Sequence, residues 1–280
     1  MKFTKMQALG NDYVYVNCDE EKISDRRSLA RFVSDRNFGV GSDGLICISK
    51  SDQADFEMDM YNADGSQSQM CGNGIRAVGK YVYDYGLTMK TKITVISGGA
   101  VKYLTLFPEN GKVKSVCVDM GAPIFTPQEI PMIAGGENYV NQSLEILDET
   151  YWITCLSMGN PHAVCFLEEI EALDLETIGP LFETNPLFPE RVNTEFIEVI
   201  DRHTLKMRVW ERGSGETMAC GTGACAAVVA AVENRLCEPK VRVELLGGAL
   251  EIFWDKHASG NVFMTGPAKT VFDGVLHTEA

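Results

Sequence analysis

The sequence predicts an α+β protein of two pseudo-symmetric domains, each an antiparallel sheet curled around a central helix. A Cys-Gly-x-Gly motif occurs twice, at residues 71–74 and 220–223, and each copy opens an apolar run. The run at 221–234 is apolar on all sides, which is typical of a buried helix. Segments with alternating polar and apolar residues flank the two runs and indicate strands. Strands that enclose a helix give the α+β class.

The flanks of the two motifs form a repeat. The offset from Cys71 to Cys220 is 149 residues (220 − 71). At this offset the following segments align without gaps: 56–66 with 205–215, and 9–14 with 158–163. A single period near half the chain length indicates a duplicated domain, because solenoid repeats span only about 20–50 residues. Two like domains that face each other would place the two cysteines on opposite sides of one cleft.

In the first half, the chain begins with a strand, a turn at Gly10 and a second strand, as the alternation and the Gly-Asn-Asp turn indicate. An amphipathic helix is predicted over 24–36. The Gly-rich segment 38–44 precedes a strand rather than a helix, so we interpret it as a structural loop and not as a nucleotide site. The other predicted elements are strands at 56–61, 92–96, 101–107 and 113–118, and a helix from Cys71 that ends at Gly86.

A segment with Gly121 and three prolines breaks regular structure over 121–131 and indicates the domain boundary. The predicted domains are therefore 1–120 and 121–265. The second domain repeats the plan of the first. Its predicted strands are 151–156, 163–167, 193–199, 205–210, 241–246, 249–254 and 262–265, and its predicted helices are 173–182 and 221–234.

The composition argues against several classes of function. The chain of 280 residues has a formal net charge of −14 and no run of basic residues, which argues against nucleic acid and anionic membranes as partners. No stretch approaches 18 apolar residues and no signal peptide is apparent, so we expect a cytoplasmic protein without a membrane span. Nine cysteines at irregular spacing indicate free thiols. No Cys-x-x-Cys pair occurs and the four histidines are scattered, so we expect no metal site.

The two cysteine motifs offer acid–base chemistry. The first-turn N–H groups of a helix lack helical partners, and the helix dipole adds partial positive charge beside them. We therefore expect an anion site at each motif and a thiol pKa lowered from about 8.5 toward neutrality. One such cysteine would be a candidate nucleophile, whereas two in matched settings can act as a base and an acid, as thiolate and thiol, without a cofactor. The substrate carboxylate would lie among the N–H groups of Gly72, Asn73, Gly221 and Thr222.

Several motifs closely resemble the signatures of the diaminopimelate epimerase family. They are residues 62–66 with 70–76, residues 211–217 with 219–224, Gly159-Asn160-Pro161-His162, Arg191-Val192-Asn193 and the opening Gly10-Asn11-Asp12. The resemblance runs to about Pro267. It implies the family fold, in which a C-terminal strand, here 266–280, returns to the first domain. It also implies cofactor-independent epimerisation of LL-2,6-diaminopimelate to meso-diaminopimelate, in lysine and peptidoglycan precursor biosynthesis, by a cytoplasmic homodimer.

The resemblance also assigns roles to individual residues. It makes Cys71 and Cys220 the catalytic pair, and His162 and Glu211 the groups that tune their pKa values. The residues that it implies for substrate binding are Asn11, Asn62, Gly72, Asn73, Asn160, Asn193, Glu211, Arg212, Gly221 and Thr222. Some family members carry a substrate-contacting glutamine where Gly44 stands here, so that contact is absent or supplied elsewhere. We expect Asp64 to cap a turn and Arg76 to lie on the helix surface.

Three other functions stay open. An amino-acid racemase on the same scaffold, for histidine as an example, would differ in the pocket for the distal part of the substrate. Proline racemase relatives typically carry Cys-Gly-His at the first cysteine, where Asn73 stands here. A binding protein without chemistry is disfavoured because both cysteines are present. In a thiol-redox protein Cys71 and Cys220 would form a disulfide, which in an epimerase would be an inactivating side reaction.

Overall fold

The computed structural model describes residues 1–68 and 72–277. The chain divides into two compact units: the first contains Met1–Val118 and the segment from Thr265 onward, and the second contains Asp119–Met264. Cys71, one of the two predicted catalytic cysteines, lies outside the described residues. No helix in the described part of the chain is long and apolar enough to cross a membrane.

The first unit contains eight of the strands and two helices before the chain enters the second unit. These elements are β1 (Lys2–Ala8), β2 (Asn11–Asn17), α1 (Arg26–Ser34), β3 (Gly44–Lys50), β4 (Phe56–Asn62), β5 (Gln67–Ser68), α2 (Gly72–Asp84), β6 (Lys92–Ser97), β7 (Ala100–Glu109) and β8 (Lys112–Gly121). α1 begins at Arg26, two residues later than predicted, because the Asp25 carboxylate caps it by accepting from the N–H groups of Arg27 and Ser28.

The second unit follows the same plan. Its elements are a short 3₁₀ helix (Pro127–Glu129), β9 (Tyr139–Ile146), β10 (Glu149–Ser157), β11 (Pro161–Leu167), α3 (Leu175–Glu183), β12 (Asn193–Asp201), β13 (Thr204–Glu211), β14 (Gly215–Glu216), α4 (Gly221–Glu233), β15 (Lys240–Leu245), β16 (Gly248–Trp254) and β17 (Val262–Pro267). The last strand, β18 (Lys269–Val275), pairs with β1 of the first unit, which contains both strands.

The repeat seen in the sequence governs the order of elements. Moving α1 and α2 forward by 149 positions gives residues 175–183 and 221–233, which are the bounds of α3 and α4. The same shift places β3 on the first residues of β12 and β4 on β13. The two units are therefore the same supersecondary arrangement built twice.

The α+β class is confirmed, but the sheets are mixed rather than antiparallel throughout. In the first unit β2 pairs with β3 and β4 with β6 in parallel, and in the second unit β11 pairs with β12 and β13 with β15 in parallel. Each of these four connections passes through a helix, whereas the strands joined by hairpins pair antiparallel. A helical crossover returns the chain to the edge where the first strand started, so the next strand runs parallel.

Each central helix is buried among its own strands. Residues 223–231 of α4 are all inaccessible to solvent, as the apolar run predicted, and α4 contacts β10, β11, β12, β13, β15 and β16. α2 packs closely on β7 and β8 at Gly79, where an added Cβ would lie 2.9 Å from Leu106, 3.0 Å from Leu104 and 3.4 Å from Val116. Close packing of this kind fixes the direction in which the first turn of each helix points.

Candidate active site

The predicted site residues occupy three matched places in each unit: the start of one strand, the end of another, and the first turn of the central helix. In the first unit these places hold Asn11, Asn62, and Gly72 with Asn73. In the second unit they hold Asn160 with His162, Glu211 with Arg212, and Gly221 with Thr222. Strand pairing brings the strand positions together, because Gly44 pairs with Tyr13 and Asn62, and His162 pairs with Asn193.

Cys220 lies directly before α4 and acts as the N-cap of that helix. Its backbone is extended (φ −112°, ψ 113°), and its Sγ accepts a hydrogen bond of 3.4 Å from the N–H of Gly223. The Thr222 hydroxyl lies 3.5 Å from the same sulfur. Gly223 leaves no room for a side chain, since an added Cβ would lie 2.5 Å from Glu195 Oε1 and 3.0 Å from Met207 Cε. The thiol is therefore held in one position at the start of the helix.

The expectation of a lowered thiol pKa is wrong for Cys220. Burial raises the pKa of Cys220 well above its ordinary value, and the nearby carboxyl groups of Glu211 and Glu195 raise it further. The hydrogen bonds from Thr222 and from the N–H of Gly223 oppose these effects without overcoming them. Removing a charged sulfur from water costs more than a single helix start returns. The surroundings of Cys220 therefore favour the neutral thiol over the thiolate.

A continuous row of polar side chains leads away from Cys220. The Thr222 hydroxyl accepts a hydrogen bond of 3.3 Å from Asn160 Nδ2, and Asn160 Oδ1 lies 2.9 Å from His162 Nε2. On the other side of the imidazole, Nδ1 lies 2.7 Å from Glu195 Oε1. His162 and Glu195 are both fully buried. The row connects a buried histidine to the residue that touches the thiol.

Glu211 is the carboxyl group that acts most directly on Cys220. It lies half-buried at the end of β13, where it accepts a hydrogen bond from the Thr217 hydroxyl and lies near enough to the Cys220 thiol for the two groups to shift each other's pKa. Burial raises the pKa of Glu211, while Thr217, Cys220 and His162 partly oppose that rise. A carboxyl group and a thiol that shift each other's pKa values titrate as a coupled pair.

The loop after β13 presents an arginine to solvent. Arg212 is exposed, its Nη1 donates to the carbonyl of Glu190 at 3.0 Å, and it has no carboxylate partner among the residues that the structure describes. The backbone N–H of Arg212 donates to Asn193 Oδ1 at 3.0 Å, and Asn193 Nδ2 donates to the carbonyl of Pro161 at 2.8 Å. The Asn193 amide therefore links the start of β11 to the backbone of Arg212 after β13. The guanidinium of Arg212 is accessible to an anion.

Two predicted ligands of the first unit take part in local hydrogen bonds. Asn11 Nδ2 donates to Asp43 Oδ2 at 2.8 Å, and Asn62 Nδ2 donates to Ser66 Oγ at 2.9 Å. The predicted turn cap is confirmed, because Asp64 Oδ1 accepts from the N–H of Ser66 at 2.8 Å. These bonds fix the directions of both asparagines within this unit.

The prediction that Arg76 lies on the helix surface is wrong. Its side chain is fully buried and donates to the carbonyl of Gly72 at 3.0 Å and to Asn73 Oδ1 at 2.8 Å. Residues three and four apart share one face of a helix, so Arg76 reaches back to the first turn of α2. A buried guanidinium needs acceptors of this kind, and in return it fixes the Asn73 side chain.

Comparison with known proteins identifies the family of this chain. A family model described as diaminopimelate epimerase matches residues 3–126 and 154–271. The chain belongs to the diaminopimelate epimerase family. The diaminopimelate epimerase of Acetivibrio thermocellus is 54% identical over 274 residues, which cover 98% of this chain and 98% of the relative. That of Agathobacter rectalis is 53% identical over 283 aligned residues, which cover 99% of each chain.

Solved structures share the fold at much lower identity. A PhzF-family phenazine biosynthesis protein of Bacillus anthracis has a TM-score of 0.74 at 17% identity, with 99% of both chains covered. A hydroxyproline epimerase from Agrobacterium vitis has a TM-score of 0.70 at 11% identity, with 98% of this chain and 90% of that chain covered. These likenesses support the fold alone, and they agree with the α+β class of the epimerase family.

Sequence reasoning missed two buried carboxyl groups of this family member. Glu183, at the end of α3, accepts from Trp210 Nε1 at 2.7 Å and from the N–H of Gly213 at 3.0 Å, which holds the loop that carries Arg212. Glu195 contacts His162. In the repeat register Glu195 aligns with Ile46, so a carboxyl group stands where the other half has an apolar side chain. This difference between the two halves was the sequence signal that could have identified Glu195.

We expect the Glu211→Gln enzyme to gain stability relative to the wild type as pH rises. A carboxyl group with a raised pKa stabilises the fold at low pH, and this contribution is lost as pH rises from about 4.3 through the pKa of the folded state. Glutamine keeps an acceptor for Thr217 but does not ionise. Melting temperatures at pH 4 to 8 measure the difference, with Glu176→Gln, an exposed carboxyl of α3, as control. A difference that stays constant with pH would contradict the prediction.

Proposed function

We propose that this chain epimerises LL-2,6-diaminopimelate to meso-diaminopimelate without a cofactor, with Cys71 and Cys220 as the acid–base pair. The observation that carries the proposal is the environment of Cys220, a buried thiol that caps a helix start and whose pKa the nearby carboxyl group of Glu211 raises. The close relatives named diaminopimelate epimerase support the choice of substrate.

The two cysteines would act on opposite faces of the substrate α-carbon. In one direction the Cys71 thiolate removes the α-hydrogen as a proton, and the electrons of the broken C–H bond stay on the carbon. The Cys220 thiol then gives its proton to the opposite face and becomes a thiolate. In the other direction the roles exchange. The raised pKa of Cys220 favours its role as the acid, which leaves Cys71 as the base in the resting enzyme.

The first turn of α4 would hold the α-carboxylate. The N–H groups of Gly221 and Thr222 belong to the turn that has no helical acceptors, and they point toward the position of an anion at the helix start. Each preorganised donor contributes about 3 kcal/mol to the transition state as negative charge moves onto the carboxylate. Gly72 and Asn73 would act in the same way from α2, where the Arg76 guanidinium holds the Asn73 side chain.

The distal end of the substrate carries a second carboxylate and an amino group. Arg212 is the candidate partner for this carboxylate, because its guanidinium is exposed and Asn193 holds its backbone. The side-chain amides of Asn11, Asn62 and Asn160 would bind the amino groups and the carboxylate oxygens. Glu211 would serve both the substrate and the tuning of Cys220, with His162 as the second tuning group.

The decisive experiment is incubation with LL-diaminopimelate in D₂O under reducing conditions, with α-hydrogen loss and meso product followed by NMR. We expect exchange with inversion. Exchange of another amino acid such as histidine, without turnover of diaminopimelate, would keep the mechanism and change the substrate. A lack of exchange with any amino acid would overturn the proposal and leave a binding protein.

The cellular setting is part of the same proposal. We propose a cytoplasmic homodimer that supplies meso-diaminopimelate for lysine and peptidoglycan precursor biosynthesis, with domains 1–120 and 121–265 and the strand at 266–280 in the first domain. The dimer is tested by light scattering at micromolar concentration. The domain boundary is tested by limited proteolysis, which would cut between residues 121 and 131 if this segment is the linker.

A further inference from the structure

Glu195 is a buried carboxyl group that neither the repeat nor the motifs explain. It lies on β12, two residues after Asn193, and is fully inaccessible to solvent. Its Oε1 lies 2.7 Å from His162 Nδ1, whereas its Oε2 has no hydrogen-bond partner among the described residues. A buried carboxyl oxygen without a partner is costly, and an apolar residue stands at the matching position of the first unit. The group therefore calls for a functional explanation.

The geometry fixes where the protons lie. Asn160 Oδ1 only accepts hydrogen bonds, so His162 Nε2 carries a hydrogen toward it. At 2.7 Å, Nδ1 and Oε1 cannot face each other with two bare lone pairs, so a proton lies between them. The distance falls within the range of charge-assisted N⁺–H···O⁻ hydrogen bonds. The pair therefore shares one proton between Nδ1 and Oε1 and has no net charge.

We propose that Glu195 is a positioning residue for the epimerase reaction: it shares a proton with His162 Nδ1 and so holds the ring with Nε2 toward Asn160. This inference rests on the function proposed above and deepens it. Through Asn160 and Thr222, the orientation of the ring sets the row of side chains that ends at the Cys220 sulfur.

Among the described residues, His162 is the one basic group that faces Glu195. The groups that face it are His162 from β11, Glu211 from β13, Cys155 from β10 and Cys220 before α4. Burial raises the pKa of Glu195, His162 lowers it in opposition, and Glu211 raises it further. Glu195 also lies against the first turn of α4, because its Oε1 fills the space beside Gly223. Loss of the carboxyl group therefore acts on the histidine first.

Two variants and one control test the proposal. Glu195→Gln keeps the shape and one hydrogen bond to the ring but removes the charge, and Glu195→Met removes both. Thr194→Val is the matched control. Thr194 directly precedes Glu195 on β12, is fully buried, and has a hydroxyl without a partner among the described residues. The ¹⁵N NMR spectrum of the histidines reports the ring directly. His162 is buried, whereas His203, His257 and His277 are exposed, so its signals are identifiable by their loss in His162→Gln.

We expect the wild-type His162 signals to show a hydrogen on Nε2 and a proton shared between Nδ1 and the carboxyl group, and both Glu195 variants to show an unprotonated Nδ1. In Glu195→Gln, kcat should fall about 100-fold with KM nearly unchanged, and the alkaline limb of the kcat profile should move to lower pH by about one unit. In Glu195→Met the melting temperature should stay equal or rise, because an unpaired buried carboxyl oxygen is removed. Thr194→Val should behave as the wild type in all three measurements.

Unchanged His162 signals in both variants, or an unchanged pH profile and kcat in Glu195→Gln, would overturn the inference. A fall in melting temperature that alone accounts for the lost activity would also overturn it, by showing a structural role. If the wild type fails to turn over diaminopimelate, the proposed function fails. The NMR comparison still decides whether Glu195 controls the ring.

Discussion

Cys220→Ala is expected to lower kcat for epimerisation in both directions by about 10⁴-fold, because the variant lacks the proton donor for one face of the α-carbon and the base for the same face in reverse. The fold should persist. Cys220 is the N-cap of α4, and replacing a capping side chain by alanine costs about 1 kcal/mol. The prediction is checked by measuring inversion and α-hydrogen exchange of diaminopimelate in the same D₂O reaction.

The exchange reaction separates the roles of the two thiols. With Cys71 intact, Cys220→Ala should still exchange the α-hydrogen of one diaminopimelate isomer slowly and with retention, since a single base removes and returns hydrogen on the same face. Cys225→Ala is the matched control, because Cys225 is a fully buried cysteine of the same helix. Its activity should stay near that of the wild type. Inversion by Cys220→Ala at more than a tenth of the wild-type rate would contradict the two-thiol mechanism.

The repeat made much of the fold predictable from the sequence. A single offset predicted both central helices, since it depends on aligned side chains and not on the strength of any one pattern. The repeat did not predict parallel pairing, because a strand has the same alternation of polar and apolar residues whether its neighbour runs parallel or antiparallel. The direction of β3 and β12 depends on the crossover helices α1 and α3, which return the chain so that each of these strands runs parallel to the one before it.

The sequence predicted which residues form the candidate site, but not the direction in which the pKa of Cys220 shifts. Local sequence indicated that Cys220 begins a helix, and a helix start lowers a thiol pKa. The burial of Cys220 and the approach of Glu211 and Glu195 come from β12 and β13, which lie elsewhere in the sequence. These long-range contacts reverse the direction of the shift. The buried position of Arg76 was missed although two of its acceptors, the carbonyl of Gly72 and the Asn73 side chain, are local, because its burial depends on the strands that pack around α2.

Gly44→Gln is the second substitution with a large expected effect, because it introduces the residue that some relatives of the family carry at this position. Gly44 begins β3 between Tyr13 of β2 and Asn62 of β4. An added Cβ would lie 2.9 Å from Tyr13 Cε1 and far inside van der Waals contact with the Tyr61 carbonyl oxygen. A backbone oxygen cannot yield as the end of a flexible side chain can, so β4 must move and take Asn62 with it.

We expect Gly44→Gln to destabilise the protein by about 3 kcal/mol, with a fall in melting temperature of about 6–12 °C, and to lose most of its activity at a temperature where it remains folded. Gly135→Gln is the control, since Gly135 is exposed and an added Cβ meets nothing within 4 Å. In the repeat Gly44 aligns with Asn193, so the second unit has an amide at the matching place. A Gly44→Gln enzyme with wild-type stability and higher activity would show that β4 accommodates the side chain and that the contact was merely lost.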